Sequence, residues 1–189
     1  SRSGGTVVYV SDAAARSGTI VSSGDLYTVP YNNRAGGPAA AVPGASSKAF
    51  NEFYPAFSPD DQLLSFSRLP SGQRSYNNPD SELFVLPAAG GTATRLAAND
   101  PPACSGATSP GVLNSWPKWA PEVQSYRGRQ YYWISFSSTR AGANPQLYVS
   151  GLVVENGTLR TYRSLYLWNQ PADEGNHTAA WDVFKLVVQ

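Results

Sequence analysis

Residues 52–59, Glu52-Phe53-Tyr54-Pro55-Ala56-Phe57-Ser58-Pro59, decide the fold, because they recur. They match Asn114-Ser115-Trp116-Pro117-Lys118-Trp119-Ala120-Pro121, and Asn176-His177-Thr178-Ala179-Ala180-Trp181 matches both. Phe57, Trp119 and Trp181 hold one repeat position, since 119 − 57 and 181 − 119 both equal 62. Self-similarity at a fixed period of this length signals a repeat architecture. Each of the first two copies is followed by an alternating strand, Leu63–Ser67 or Trp133–Ser137, then by a polar loop and a third strand, Glu82–Val85 or Gln146–Val149. A fourth strand follows a glycine turn, Gly90–Leu96 answering Asn156–Tyr162.

The N-terminal stretch fits the same unit without its first strand. Val7–Ser11 takes the second position, Asp25–Val29 the third, and Gly36-Gly37 opens the fourth; 64 − 7 and 83 − 26 both equal 57. The chain therefore divides into 1–46 (a unit lacking its first strand), 47–110 and 111–170 (full units), and 171–189 (the first strand of a closing unit). The expected fold is all-β, with β-propeller blades of four antiparallel strands. About three blades' worth is present, as part of a six-bladed or larger propeller, because each twisted sheet buries its faces only against neighbouring copies.

Composition agrees with this reading. Apolar residues make up 41% of the 189, and 17 Gly with 15 Pro punctuate short runs rich in Val, Leu, Tyr, Phe and Trp. No capped segment keeps a 3.6-residue period, and Ser11–Arg16 is too short and too rich in small residues to bury a face, so no substantial helix is expected. With 14 basic against 13 acidic residues, the net charge of +1 draws neither nucleic acid nor an anionic membrane surface. No run of 18 apolar residues exists to insert in a membrane. The single cysteine, Cys104, excludes an internal disulfide and a cysteine metal cluster. A start at Ser1 and the lack of Met suggest a processed product or a piece of something longer.

The phrases YPAFSPDDQLLSFSR…SELFVLPAAGGTATRL and WPKWAPE…YYWISFSSTRAG…QLYV resemble the TolB-like β-propeller repeat over nearly the whole chain. Ala120 and Glu122 depart from its Ser and Asp, and residues 123–130 lengthen the first hairpin of the second full unit. The resemblance implies a fold more firmly than a function, since such repeats serve scaffolds, periplasmic transport machinery and peptidase accessory domains. It implies a periplasmic or extracellular bacterial setting. In this repeat Asp60-Asp61 forms the tight turn between the first two strands rather than a catalytic pair.

Function is read from what the repeat leaves over. At the start of each first strand the copies place Glu52, Asn114 and Asn176, one acid and two amides, a set suited to hydrogen-bonded recognition rather than glycoside hydrolysis. Tyr54 and Trp116 lie an odd three residues before the expected core position, so on a regular strand they face the opposite way. With His177 these residues make up the expected binding set: Glu52, Tyr54, Asn114, Trp116, Asn176 and His177. No Gly-x-Ser-x-Gly elbow is present, and no catalytic residue, metal ligand or cofactor is assigned; Asp173, Glu174 and Asp182 lack regular calcium-loop spacing. The expected function is a non-catalytic protein- or peptide-binding module of a larger cell-envelope or secreted protein. The alternative is a carbohydrate-binding or enzyme-associated propeller, accessory to a peptidase or glycosidase. Strands count three, four, four and one, which leaves two raw edges. Either a preceding portion of the same protein completes the ring, the favoured arrangement, or a second copy does.

Overall fold

The computed structural model describes residues 1–12 and 20–182. The greater part of Ser11–Arg16, and the end of the closing strand beyond Asp182, fall outside the described residues. The protein is all-β, and its described residues form three antiparallel sheets joined in chain order. The first sheet is β1 (Thr6–Ser11), β2 (Asp25–Pro30) and β3 (Ala40–Ala41), ordered β1-β2-β3. The central sheet is β4 (Phe50–Phe57), β5 (Leu63–Pro70), β6 (Glu82–Pro87) and β7 (Thr94–Arg95), again in sequence order. The third sheet is β8 (Asn114–Trp119), β9 (Gln124–Tyr126), β10 (Arg129–Ser138), β11 (Gln146–Glu155), β12 (Thr158–Thr161) and β13 (Leu165–Tyr166). Its main path runs β8-β10-β11-β12; β9 pairs with the start of β10 across the lengthened hairpin, and β13 adds to β11.

Local chemistry sets the turns. Asp60 caps the β4–β5 turn: its carboxylate accepts from Ser58 Oγ at 2.6 Å and Gln62 N at 3.2 Å, while Asp61 takes the left-handed conformation at φ 58°. Asn156-Gly157, with φ of 50° and 74°, makes the two-residue β11–β12 hairpin whose twist suits its strands. At Gly44 the demand is steric, since a Cβ there would stand 1.8 Å from the Gly91 carbonyl oxygen.

Alternation on β5 buries both of its faces, because the central sheet has a neighbour on each side. Leu64, Phe66 and Leu86 pack with Leu26, Val42 and Ala45 of the first sheet and its following loop. Leu63, Leu83, Val85 and Leu96 pack with Trp119, Tyr132, Ile134, Phe136 and Leu152 of the third. The shared repeat position of Phe57, Trp119 and Trp181 meets three environments. Trp119 is buried, Phe57 is half-buried, and Trp181 is 39% exposed on the outer face of the third sheet. The two indoles nevertheless share one kind of bond: Trp119 Nε1 donates to Ala56 O at 2.9 Å and Trp181 Nε1 to Lys118 O at 3.1 Å, with Ser135 Oγ a further acceptor for Trp181 at 2.8 Å. Both reach back 63 residues (119 − 56 and 181 − 118).

Candidate functional site

One backbone bond recurs in β4, in β8 and at Asn176, which lies outside the strands. Glu52 N donates to Gly24 O at 2.7 Å, Asn114 N to Ser81 O at 2.8 Å, and Asn176 N to Pro145 O at 2.7 Å. The acceptors immediately precede β2, β6 and β11, the strands in the third repeat position. This suture places Glu52 and Asn114 at equivalent points of the central and third sheets, and Asn176 at the corresponding point of the segment that follows.

Their side chains are turned inward. Glu52 is fully buried, with Oε1 accepting from Arg68 Nε at 3.2 Å and ion-paired with Nη2 at 3.0 Å; burial raises its carboxyl above the usual range, against the opposing pull of the Arg68 charge. Arg68 also donates to Gly44 O and lies over the rings of Phe50, Phe66 and Phe84. Asn114, also fully buried, accepts at Oδ1 from Arg140 Nη2 at 2.6 Å and donates to Ser109 Oγ at 3.0 Å. Arg140 in turn lies over Phe136 and Tyr148 and bonds Ala98 O at 2.8 Å; burial pulls its guanidinium down to about 10. Asn176 is half-buried and reaches Gln146 Oε1 at 3.4 Å. These three polar side chains therefore bond within the chain, and the two arginines that engage Glu52 and Asn114 tie each sheet to the connection before it.

Tyr54 and Trp116 behave differently. At both, register slips by one residue against the neighbouring strand, between Phe53 and Ala56 and between Ser115 and Lys118, so that two residues oppose one. Both bulged residues have φ of 53°, left-handed although neither is glycine, and each precedes a proline. The bulge rather than simple alternation aims the rings. They stack across the gap between β4 and β8 with centroids 5.2 Å apart and planes 20° apart.

Tyr76, from the β5–β6 loop, meets Trp116 edge-on at 5.8 Å, and His177 meets Trp116 edge-on at 5.1 Å and stacks with Tyr76 at 6.3 Å. Phe53 supports Tyr54 from beneath at 4.9 Å. Burial, with Tyr76 adding to it, raises the Tyr54 phenol above its ordinary value. Among the described residues, the buried His177 Nδ1 has no hydrogen-bond partner. The structure thus brings Tyr54, Trp116 and His177 of the expected set together and adds Tyr76. Tyr76 has no repeat counterpart, and its only sequence signal is an aromatic ring within the polar loop RSYNNPD.

The cluster offers ring faces, a phenol edge and an imidazole, which suit stacking. Among the described residues no group of three or more His, Cys, Asp or Glu could hold a metal ion, and no helix is long and apolar enough to cross a membrane. Cys104 is exposed in a short 3-10 turn (Ala103–Ser105). Compared with family models, curated proteins and solved structures, the chain matches none.

Proposed function

We propose that this chain is a non-catalytic protein- or peptide-binding module made of about three β-propeller blades, whose recognition surface is the ring cluster of Tyr54, Tyr76, Trp116 and His177. The observation that carries the reading is the pair of repeat-equivalent bulges that hold two non-glycine aromatic residues at φ 53° and stack them. Left-handed backbone at such residues costs about 1 to 3 kcal/mol each, and conformations of that cost cluster where a site must be pre-formed. Rigid aromatic rings supply large contact area at little entropic cost, so an extended peptide with an apolar or proline side chain is the class of ligand that fits. A suture repeated at β4, at β8 and at the Asn176 segment supports the blade assignment, and the repeat resemblance supports a larger cell-envelope or secreted parent.

A random-peptide display library panned on the immobilised chain tests this. Selected peptides are expected to lose at least tenfold in affinity for Trp116→Ala and for Tyr76→Ala. Equal binding to both variants defeats the reading. Trp116-dependent binding on a glycan array, with no peptide selected, replaces it with the carbohydrate alternative.

A further inference from the structure

One asparagine of the central sheet clamps the loop that carries Tyr76. Asn51, near the start of β4, is fully buried, and its carboxamide bonds run to two other segments. Oδ1 accepts from Gly24 N at 2.9 Å, and Nδ2 donates to Val21 O at 3.0 Å and to Gln73 O at 2.9 Å. Both amide hydrogens are thus engaged. Residues 20–24 lead into β2 and Gln73 lies in the β5–β6 loop (71–81), so one side chain joins that loop to the first sheet. Two backbone bonds continue the join: Gly72 N donates to Ser22 O at 2.8 Å and Ser75 N to Val21 O at 2.9 Å. Ser75 is buried, and the next residue, Tyr76, reaches the rings of Trp116 and His177.

The repeat does not call for this asparagine. At its counterpart (113 − 51 = 62) the third sheet has a buried leucine, Leu113, and the neighbouring backbone bond, Asn114 N to Ser81 O at 2.8 Å, forms all the same. The amide that corresponds to Gly24 N is Ser81 N (81 − 24 = 57), and it takes Asn78 O at 3.1 Å. Suture and sheet packing therefore form with leucine at this position. Tyr76 has no repeat counterpart either, and the loop after β10 (139–145) is the shorter of the two. Two departures from the repeat thus meet in one loop, where Asn51 grips Gln73 three residues before Tyr76.

The geometry points to Asn51 as a positioning residue of the ring cluster: by tying Gln73 to Val21 and Gly24 it holds the Tyr76 loop in its binding conformation before a peptide arrives. A loop of this length loses much conformational entropy on ordering, and a loop already ordered leaves less to be lost on binding. The inference rests on the ring-cluster reading of the site and adds to it a residue that lies behind the rings.

Asn51→Leu, which installs the residue of the third sheet, tests it without a ligand and with one. Without a ligand, amide exchange at Gly72 and Ser75 is expected to speed up about tenfold while the amides of β5 keep their rates. The near-ultraviolet circular dichroism change produced by Tyr76→Ala recurs in Asn51→Leu and does not grow in the double variant. With library peptides, Asn51→Leu loses about five- to tenfold in affinity, and adding it to Tyr76→Ala brings no further loss. Asn51→Asp, which keeps the acceptor for Gly24 N and loses both donors, replaces Asn51→Leu if the latter does not fold. Unchanged exchange at Gly72 and Ser75, exchange raised equally throughout β5, or a spectral or affinity change that adds in full to that of Tyr76→Ala overturns the inference. Peptides indifferent to Trp116 and Tyr76 defeat the recognition function instead, and the ligand-free measurements then still decide whether Asn51 places Tyr76.

Discussion

Trp119→Ala and Trp181→Ala perturb one repeat position in two settings, and the difference between their costs reports how much the neighbouring sheet contributes. Both indoles donate to a backbone carbonyl from the same position, and Trp181 shares its N–H with Ser135 Oγ at 2.8 Å, so the hydrogen-bond loss at Trp181 is at least as large and does not account for a greater cost at Trp119. What remains is enclosure. Trp119 is packed edge-on to Tyr132 at 5.9 Å within the core between the central and third sheets, and its removal leaves a cavity that close-packed walls cannot fill. The expected cost is about 3 to 5 kcal/mol. Trp181 is 39% exposed, and deleting it opens the space to water rather than enclosing a void. At about 25 cal/mol per Å² of apolar area its loss costs about 2 to 3 kcal/mol. Urea unfolding followed by circular dichroism gives both values from midpoint shifts at constant slope. Equal costs, or a cost at Trp119 below about 2 kcal/mol, would refute the reasoning that the third sheet packs on the central one through this ring.

Arg68→Met leaves the Glu52 carboxylate buried without its cation and is expected to cost about 3 to 5 kcal/mol; Glu52→Gln costs less than about 2, because Arg140 is held by an amide at the equivalent position. The folded-state pKa of Glu52 is raised, so this residue's contribution to stability is greatest below about 4.5 and falls as pH rises towards the folded value. A stability–pH profile of Glu52→Gln should lack that decline, and an unchanged profile counts against the assignment. Tyr132 OH donates to Asp60 Oδ2 at 2.7 Å, joining the third sheet to the β4–β5 turn, so Tyr132→Phe should cost about 1.5 to 3 kcal/mol in the same urea assay; less than half a kcal/mol would discount the bond. At position 116 glycine should be more stable than alanine by about 1 kcal/mol, the reverse of an ordinary strand, because only glycine takes φ 53° without strain. The opposite ranking by thermal unfolding would contradict the bulge.

The linear sequence by itself determined which residues form strands and which strands belong together, because a sheet's alternation and its turn residues are local and the repeat writes them more than once. The strands containing Leu63–Ser67, Glu82–Val85 and Trp133–Ser137, the lengthened hairpin after Trp119, and the turn at Asp60-Asp61 were all legible on those grounds. Tertiary structure decided what the strand-start residues do. Whether Glu52 and Asn114 face solvent depends on which cation lies opposite, and Arg68 and Arg140 occupy different offsets after Phe66 and Phe136, so no fixed spacing announces their common role. It also decided where the aromatic rings point. Parity predicts an outward Tyr54 and Trp116, but each bulge adds a residue and breaks parity, and the left-handed backbone is stable only because two adjacent sheets hold the rings in contact. Tyr76 joins them from a loop that no repeat registers. Exposure at the two ends was beyond any local pattern as well: Val7 and Leu64, or Trp133 and Leu63, occupy the same repeat positions, and only the presence or absence of a neighbouring sheet makes one of each pair core and the other surface.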